Sequence, residues 1–241
     1  ASIMNPRLRS TDRSHYDEAL ASADSIMIFK LVVKTIAKRH GLHATFMPKP
    51  KSGINGSGMH INMSMRKDGI NIFHDSKDPA GLSKEAYWFI GGLMKHMKAI
   101  CFITNPVVRS SYKRLVPGYE APVYIAWSAR NRTPLIRIPD TGDAVRIELR
   151  SPDPSANPYL ALAVCLAAGL EGIQNEIMPP KSVTATSMDV RGREEGFRDR
   201  DASGKPSGSG QGILEGCIYT KAYWEKNLSK NIIEAKTENM Q

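Results

Sequence analysis

Cysteine, aromatic side chains and long apolar runs are all scarce in this 241-residue chain, and each scarcity closes off a class of protein. The three cysteines, Cys101, Cys165 and Cys217, stand far apart with no Cys-x-x-Cys pair. They read as buried core thiols of an intracellular, cytoplasmic protein rather than as a disulfide framework. The most apolar run, Tyr159 to Leu170, is shorter than the ~20 residues a spanning helix needs. No apolar stretch follows a basic start, so no secretory signal is visible. The first residue is Ala1 and not Met, from which an upstream segment is expected.

Aromatic residues make up 7% of the chain, against an apolar fraction of 41% and a charged fraction of 24%. That balance is ordinary for a globular protein, and the length suits one substantial core or one domain with an appendage. The formal charge of +9 attracts anions: nucleotides, carboxylates or nucleic acid. A nucleic-acid binder is expected to show basic stripes interleaved with aromatics. Here many arginines stand singly among strand and turn residues, which favours small anions held by individual guanidiniums.

The densest such region is Asn105 to Tyr159, with eight cationic side chains (Arg109, Lys113, Arg114, Arg130, Arg132, Arg137, Arg146, Arg150) against five acids (Glu120, Asp140, Asp143, Glu148, Asp153). Within it, Val145 to Arg150 alternates, so Val145, Ile147 and Leu149 share one strand face and Arg146, Glu148 and Arg150 the other. An edge or outer strand is the ordinary explanation of such a pattern. Gly58 to Met65 repeats it, with Met59, Ile61, Met63 and Met65 opposite His60, Asn62 and Ser64.

Around these strands, apolar residues at spacings of three and four predict helices over Asp17 to His40 and over Leu82 to Thr104, the second opening at Ser83. The first is expected to pack through Leu20, Ile26, Phe29, Val32, Val33 and Ile36. A third helix should start at Asn157 as N-cap with Pro158 in its first turn, and run to about Glu176. Leu42 to Met47 reads as a short strand, Gly53 to Gly58 as a turn, and Lys67 to Asp78 as another turn. Residues 1–16 read as a flexible leader. Arg191 to Gln211 has no apolar face to bury and is expected to be mobile. Tyr219 to Asn239 offers a last helix.

Five segments, NGSGMH (Asn55 to His60), SYKRLVPGYEAP (Ser111 to Pro122), SARNR (Ser128 to Arg132), IRIP (Ile136 to Pro139) and RIELRSPDPSANPYLALA (Arg146 to Ala163), resemble the catalytic domain of bacterial type I glutamine synthetases. The likeness runs in order over residues 17–178, leaving 179–241 as a poorly matching segment. It implies an α+β fold, a curved and mostly antiparallel sheet with outer helices, of the glutamine synthetase/guanido kinase-like kind. It also implies ATP-dependent ligation of ammonia to glutamate through γ-glutamyl phosphate, with Mg²⁺ or Mn²⁺ as cofactor. The complete protein is then expected to be a homo-oligomer of stacked hexameric rings, with no membrane partner and no nucleic acid.

Residue by residue, the resemblance gives His60 and Glu148 as metal ligands. Asn62, Met63, Ser64, Arg132 and Arg137 correspond to the ATP set, and Asn55, Gly56, Arg114, Glu120 and Arg150 to the glutamate set. Glu120, in PGYEAP, matches the acid that forms the ammonium site and accepts its proton, so Glu120 and Arg132 are the catalytic candidates.

Three departures from the family pattern set expectations of their own. The nearest upstream metal-binding glutamate should fall near Thr11, where no Glu stands. The N-terminal domain that completes each active site is absent, so this chain should be an inactive piece of a larger parent enzyme. Val107 to Ser111 is one residue longer than the family's loop. A non-catalytic relative that keeps the pocket for nucleotide or small anions remains the alternative, with a basic nucleic-acid binder behind it.

Overall fold

The computed structural model describes residues 17–183, apart from 130, 132 and 140–143. The leader, the Arg191 to Gln211 segment, the Tyr219 to Asn239 helix and Cys217 lie outside the described residues, as do Arg130 and Arg132. The first helix, α1 (Ala19–Arg39), is followed by an irregular stretch and then strand β1 (Ile61–Met63). A two-residue-per-strand hairpin comes next, β2 (Arg66–Lys67) with β3 (Ile70–Asn71), turning through Asp68 and Gly69, both at positive φ. Helices α2 (Lys84–Thr104) and α3 (Val108–Arg114), strands β4 (Trp127–Ser128), β5 (Ile136–Arg137) and β6 (Ile147–Leu149), and helix α4 (Pro158–Gln174) complete the order. The expected α+β class is what is observed.

The four-stranded sheet runs β1-β6-β5-β4, antiparallel between β1 and β6 and between β6 and β5, parallel between β5 and β4. Its register lines up two cross-strand rungs. Ile61, Leu149, Ile136 and Trp127 form the apolar rung, and all four are buried. The neighbouring rung is Asn62, Glu148, Arg137 and Ser128. Successive residues of a strand point to opposite faces, so the first rung faces the core and the second forms a polar floor on the other side.

Helices α2 and α4 supply the other half of the core. Ser83 caps α2, its Oγ accepting from the Ala86 amide at 3.1 Å and donating to the Ile72 carbonyl at 2.6 Å. Asn157 caps α4, accepting from the amides of Tyr159 and Leu160, with Pro158 in the first turn. Gly92 and Gly172 let the two backbones touch: a Cβ at Gly92 would overlap the Ala168 carbonyl, and one at Gly172 the Trp88 carbonyl. Tyr87 stacks edge-on against Trp127, 5.7 Å between centroids, which ties α2 to β4.

Four expectations are corrected. Leu42 to Met47 forms no strand, because among the described residues no strand lies beside it to pair with, and an extended segment without a ladder is not held as a strand. The turn expected from Lys67 holds the β2–β3 hairpin. Strand β6 lies in the middle of the sheet and not at an edge. Finally, α1 turns Ala23 inward, while Leu20, Phe29, Val32 and Ile36 stay exposed. Its apolar residues run nearly all round the helix, so periodicity could not choose the packed face. No helix of the described residues is long and apolar enough to cross a membrane.

Candidate functional site

The polar floor is organised by Glu148. Strand β6 carries it between β1 and β5, where the register sets it opposite Asn62 on one side and Arg137 on the other. Its Oε1 lies 3.0 Å from His60 Nδ1, a hydrogen bond when that nitrogen carries the proton. Its Oε2 accepts from Arg137 Nη1 at 3.1 Å, and Arg150 Nε stands 3.9 Å away. Burial alone would raise the Glu148 pKa. The His60 hydrogen bond and charge, with Arg150 and Arg137, outweigh it and hold the carboxyl at about 2. Glu148 is therefore an anion at any ordinary pH, and the His60 side chain beside it is 33% exposed.

Beneath this floor lies Arg114, at the end of α3 and only 4% exposed. Its Nη1 donates to the Ser151 carbonyl at 2.7 Å and its Nη2 to the Arg150 carbonyl at 3.0 Å. Burial lowers its pKa to about 10, opposed by the nearby carboxylate of Asp153. That carboxylate is held in turn by Asn105 Nδ2 at 3.1 Å and the Ser155 amide at 2.9 Å.

The Asn55 to His60 loop is laid directly on Arg114. A Cβ at Gly56 would meet the Arg114 side chain and the Pro48 carbonyl, and one at Gly58 would overlap Arg114 Nη2 and come within 3.0 Å of His60 Nε2. Only glycine at these two positions lets the loop come this close. Ser57 is fastened by its amide to the Pro48 carbonyl at 2.7 Å.

Among the candidate residues, then, His60, Glu148, Arg137 and Arg150 converge, with Arg114, Gly56 and Gly58 packed below. Asn62 lies on the same face but accepts from Arg146 Nε at 3.2 Å. Met63 pairs with Ile147 and is half-buried, its side chain packed against the core. Asn55 and Ser64 are half-buried at either end of the β1 segment. Glu120 is exposed on the loop after α3, and Arg132 lies outside the described residues. The resemblance named neither Asp153 nor Asn105, which brace Arg114. The one sequence signal for Asp153 is its place between two prolines, which marks a rigid turn.

Could these residues hold a divalent ion? Two ligand atoms on adjacent corners of an octahedron with bonds of 2.0–2.1 Å are about 3 Å apart. That is the separation of His60 Nδ1 and Glu148 Oε1, so the pair fits one edge of such a site. Among the described residues no group of three His, Cys, Asp or Glu side chains could enclose an ion, so this pair could supply at most part of a coordination shell.

Comparison with known proteins agrees with the sequence motifs. The family model described as "Glutamine synthetase, catalytic domain" matches residues 12–240. The glutamine synthetase of Clostridium saccharobutylicum is 64% identical over 171 residues, 70% of this chain and 38% of that protein. That of Thermotoga maritima is 60% identical over 169 residues, covering 70% and 38%. That of Methanosarcina mazei is 56% identical over 183 residues, covering 75% and 41%. This chain thus spans about two fifths of the length of these relatives. Among solved structures, an ADP complex of GmaS superposes with a TM-score of 0.68 at 35% identity, over 89% of this chain and 53% of that one. GmaS without ligand gives 0.67 at 37%, over 89% and 52%.

Proposed function

The chain belongs to the glutamine synthetase catalytic-domain family, and from that premise we propose that it is part of an ATP-dependent ligase joining ammonia to glutamate through γ-glutamyl phosphate. The observation that carries this reading is the His60–Glu148 pair at 3.0 Å, with Arg137 on the second carboxylate oxygen. Phosphoryl transfer is chiefly positioning and charge neutralisation, and this face offers a fixed anion for a cation and guanidiniums for phosphate oxygens.

In this reading His60 and Glu148 hold Mg²⁺ or Mn²⁺, which when bound neutralises phosphate charge. Arg137 orients phosphate oxygens, together with Arg132, and the Asn62 to Ser64 segment receives ATP. GmaS, a structurally similar protein, was solved as an ADP complex, which supports a nucleotide here. Arg150 and the Asn55–Gly56 loop receive glutamate, with Arg114 fixing both from below. Glu120 draws the proton from ammonium, so that the neutral amine attacks the activated carbonyl. The complete protein is a homo-oligomer, and this chain alone does not turn over.

Calorimetry with a non-hydrolysable ATP analogue and Mn²⁺ tests the reading. Binding should depend on the metal and be lost in both His60→Ala and Glu148→Ala. Binding that is indifferent to Mn²⁺ in the unsubstituted chain would defeat it. The lack of a third ligand among the described residues favours one other reading, a non-catalytic relative that binds nucleotide or small anions for a regulatory role. Glutamine formation by an assembled, longer form of the protein separates the two.

A further inference from the structure

We propose that Lys49 is a positioning residue that clamps the Glu120 loop to the Asn55–Gly58 loop, gripping the face of the Tyr119 ring with its ammonium. The inference rests on the ligase reading only for the role of Glu120, not for the clamp itself. Lys49 is 8% exposed, an unusual place for an ammonium. Its Nζ lies 3.4 Å from the centroid of the Tyr119 ring, well inside cation–π range and largely withdrawn from water, where such contacts are strongest.

The neighbours of Lys49 make this contact a junction. Its own amide donates to Ser110 Oγ on α3 at 3.4 Å. The carbonyl of the preceding residue, Pro48, accepts from Ser57 at 2.7 Å and occupies the space a Cβ on Gly56 would need. Two consecutive residues therefore touch the loop assigned to glutamate, the helix that ends in Arg114, and the loop assigned to ammonium.

The loop they reach needs an anchor. Pro117, Gly118 and Glu120 are all exposed, Gly118 has φ +87°, and Tyr119 alone among them turns inward. Because Glu120 follows Tyr119 directly, fixing the ring fixes the carboxylate's Cα. Losing the ring contact removes this constraint on the acid's backbone, while Glu148, His60 and Arg137 keep their own bonds. Lys49 acts through Tyr119 and touches none of the reacting groups.

Hydrogen exchange on this chain reads the clamp without any substrate. In Lys49→Met, which keeps the stem and removes the charge, amides of residues 118–121 should exchange about tenfold faster, while those of α2 stay unchanged. Tyr119→Leu should do the same, the double variant should add nothing, and Lys49→Arg should restore protection. Unchanged exchange in Lys49→Met, or additive effects in the double variant, would overturn the clamp. Its functional consequence is read in an active assembly of the longer protein. There Lys49→Met should raise the KM for ammonium about tenfold and leave the KM for ATP within about twofold. Equal effects on both would make Lys49 merely structural. Loss of ligase activity in the unsubstituted protein would sink the ligase reading while leaving the exchange result intact.

Discussion

Gly58 and Arg114 are packed so tightly that a methyl group on the glycine would overlap the guanidinium Nη2. The contact joins the loop that leads into His60 to the arginine that holds the carbonyls of Arg150 and Ser151. A carbon placed there cannot be absorbed locally, because the guanidinium is already pinned at both ends.

Gly58→Ala should therefore destabilise the chain by about 1–3 kcal/mol, the usual cost of overpacking. It should also displace His60, so anion binding falls by more than stability alone explains. Gly53→Ala is the control: φ is +76° there, but nothing lies within 4 Å of the added carbon. It should cost about 1 kcal/mol in backbone strain and leave binding intact. Urea denaturation of both variants, with nucleotide titration of each, checks the contrast.

The buried carboxylate of Glu148 predicts an acid limb. Its pKa in the folded chain, about 2, lies below its ordinary value of 4.5. A group depressed on folding contributes stability above its unfolded pKa and loses it as pH falls through the folded one. A shift of this size corresponds to about 3 kcal/mol. With chelator present, stability should decline between about pH 4.5 and pH 2. In Glu148→Gln that decline should be shallower by a measurable fraction, as read from denaturation midpoints across the range. An identical acid limb in both proteins would contradict the assignment.

How much of this was legible beforehand depends on which force set each feature. The capping residues Ser83 and Asn157 were readable because their chemistry is local: a side-chain oxygen meets an amide two or three residues on. Alternation in Val145 to Arg150 gave the two faces of β6 correctly, and with them the polar face that carries Glu148. It could not place β6 at the centre of the sheet, since strand order is decided by partners far away in the chain. The side of α1 that packs was hidden for the opposite reason: apolar residues surround it, so no single face stood out. Arg114 reads as a substrate arginine from the motif alone. Its burial under two glycines and its bonds to main-chain carbonyls are tertiary facts.

The helix caps give a small and separable test. Asn157→Ala removes an acceptor from two amides at an exposed helix start and should cost about 1 kcal/mol. Ser83 is buried and also donates to the Ile72 carbonyl, so Ser83→Ala leaves an acceptor without its partner. It should cost nearer 2 kcal/mol. Thermal unfolding of the two variants should rank them in that order.

The contact between α2 and α4 should be the least tolerant of all. At Gly92 and Gly172 the obstructing atoms are main-chain carbonyls of the partner helix, Ala168 and Trp88, which no rotamer change can move aside. At Gly169 the obstruction is the Phe89 ring, which could turn, though Phe73 packs against it at 5.2 Å between centroids. An alanine can be accommodated at 92 or at 172 only by separating the helices, and that opens voids beside Phe89, Leu93 and Cys165, all buried. Each of Gly92→Ala and Gly172→Ala should therefore lose about 3 kcal/mol or more, and Gly169→Ala less. Because both carbons would fill the same gap, the double variant should cost clearly less than the sum of the single ones. Chemical denaturation of the three single variants and the double settles the ranking, and additive losses at 92 and 172 would show that the two glycines do not share one contact.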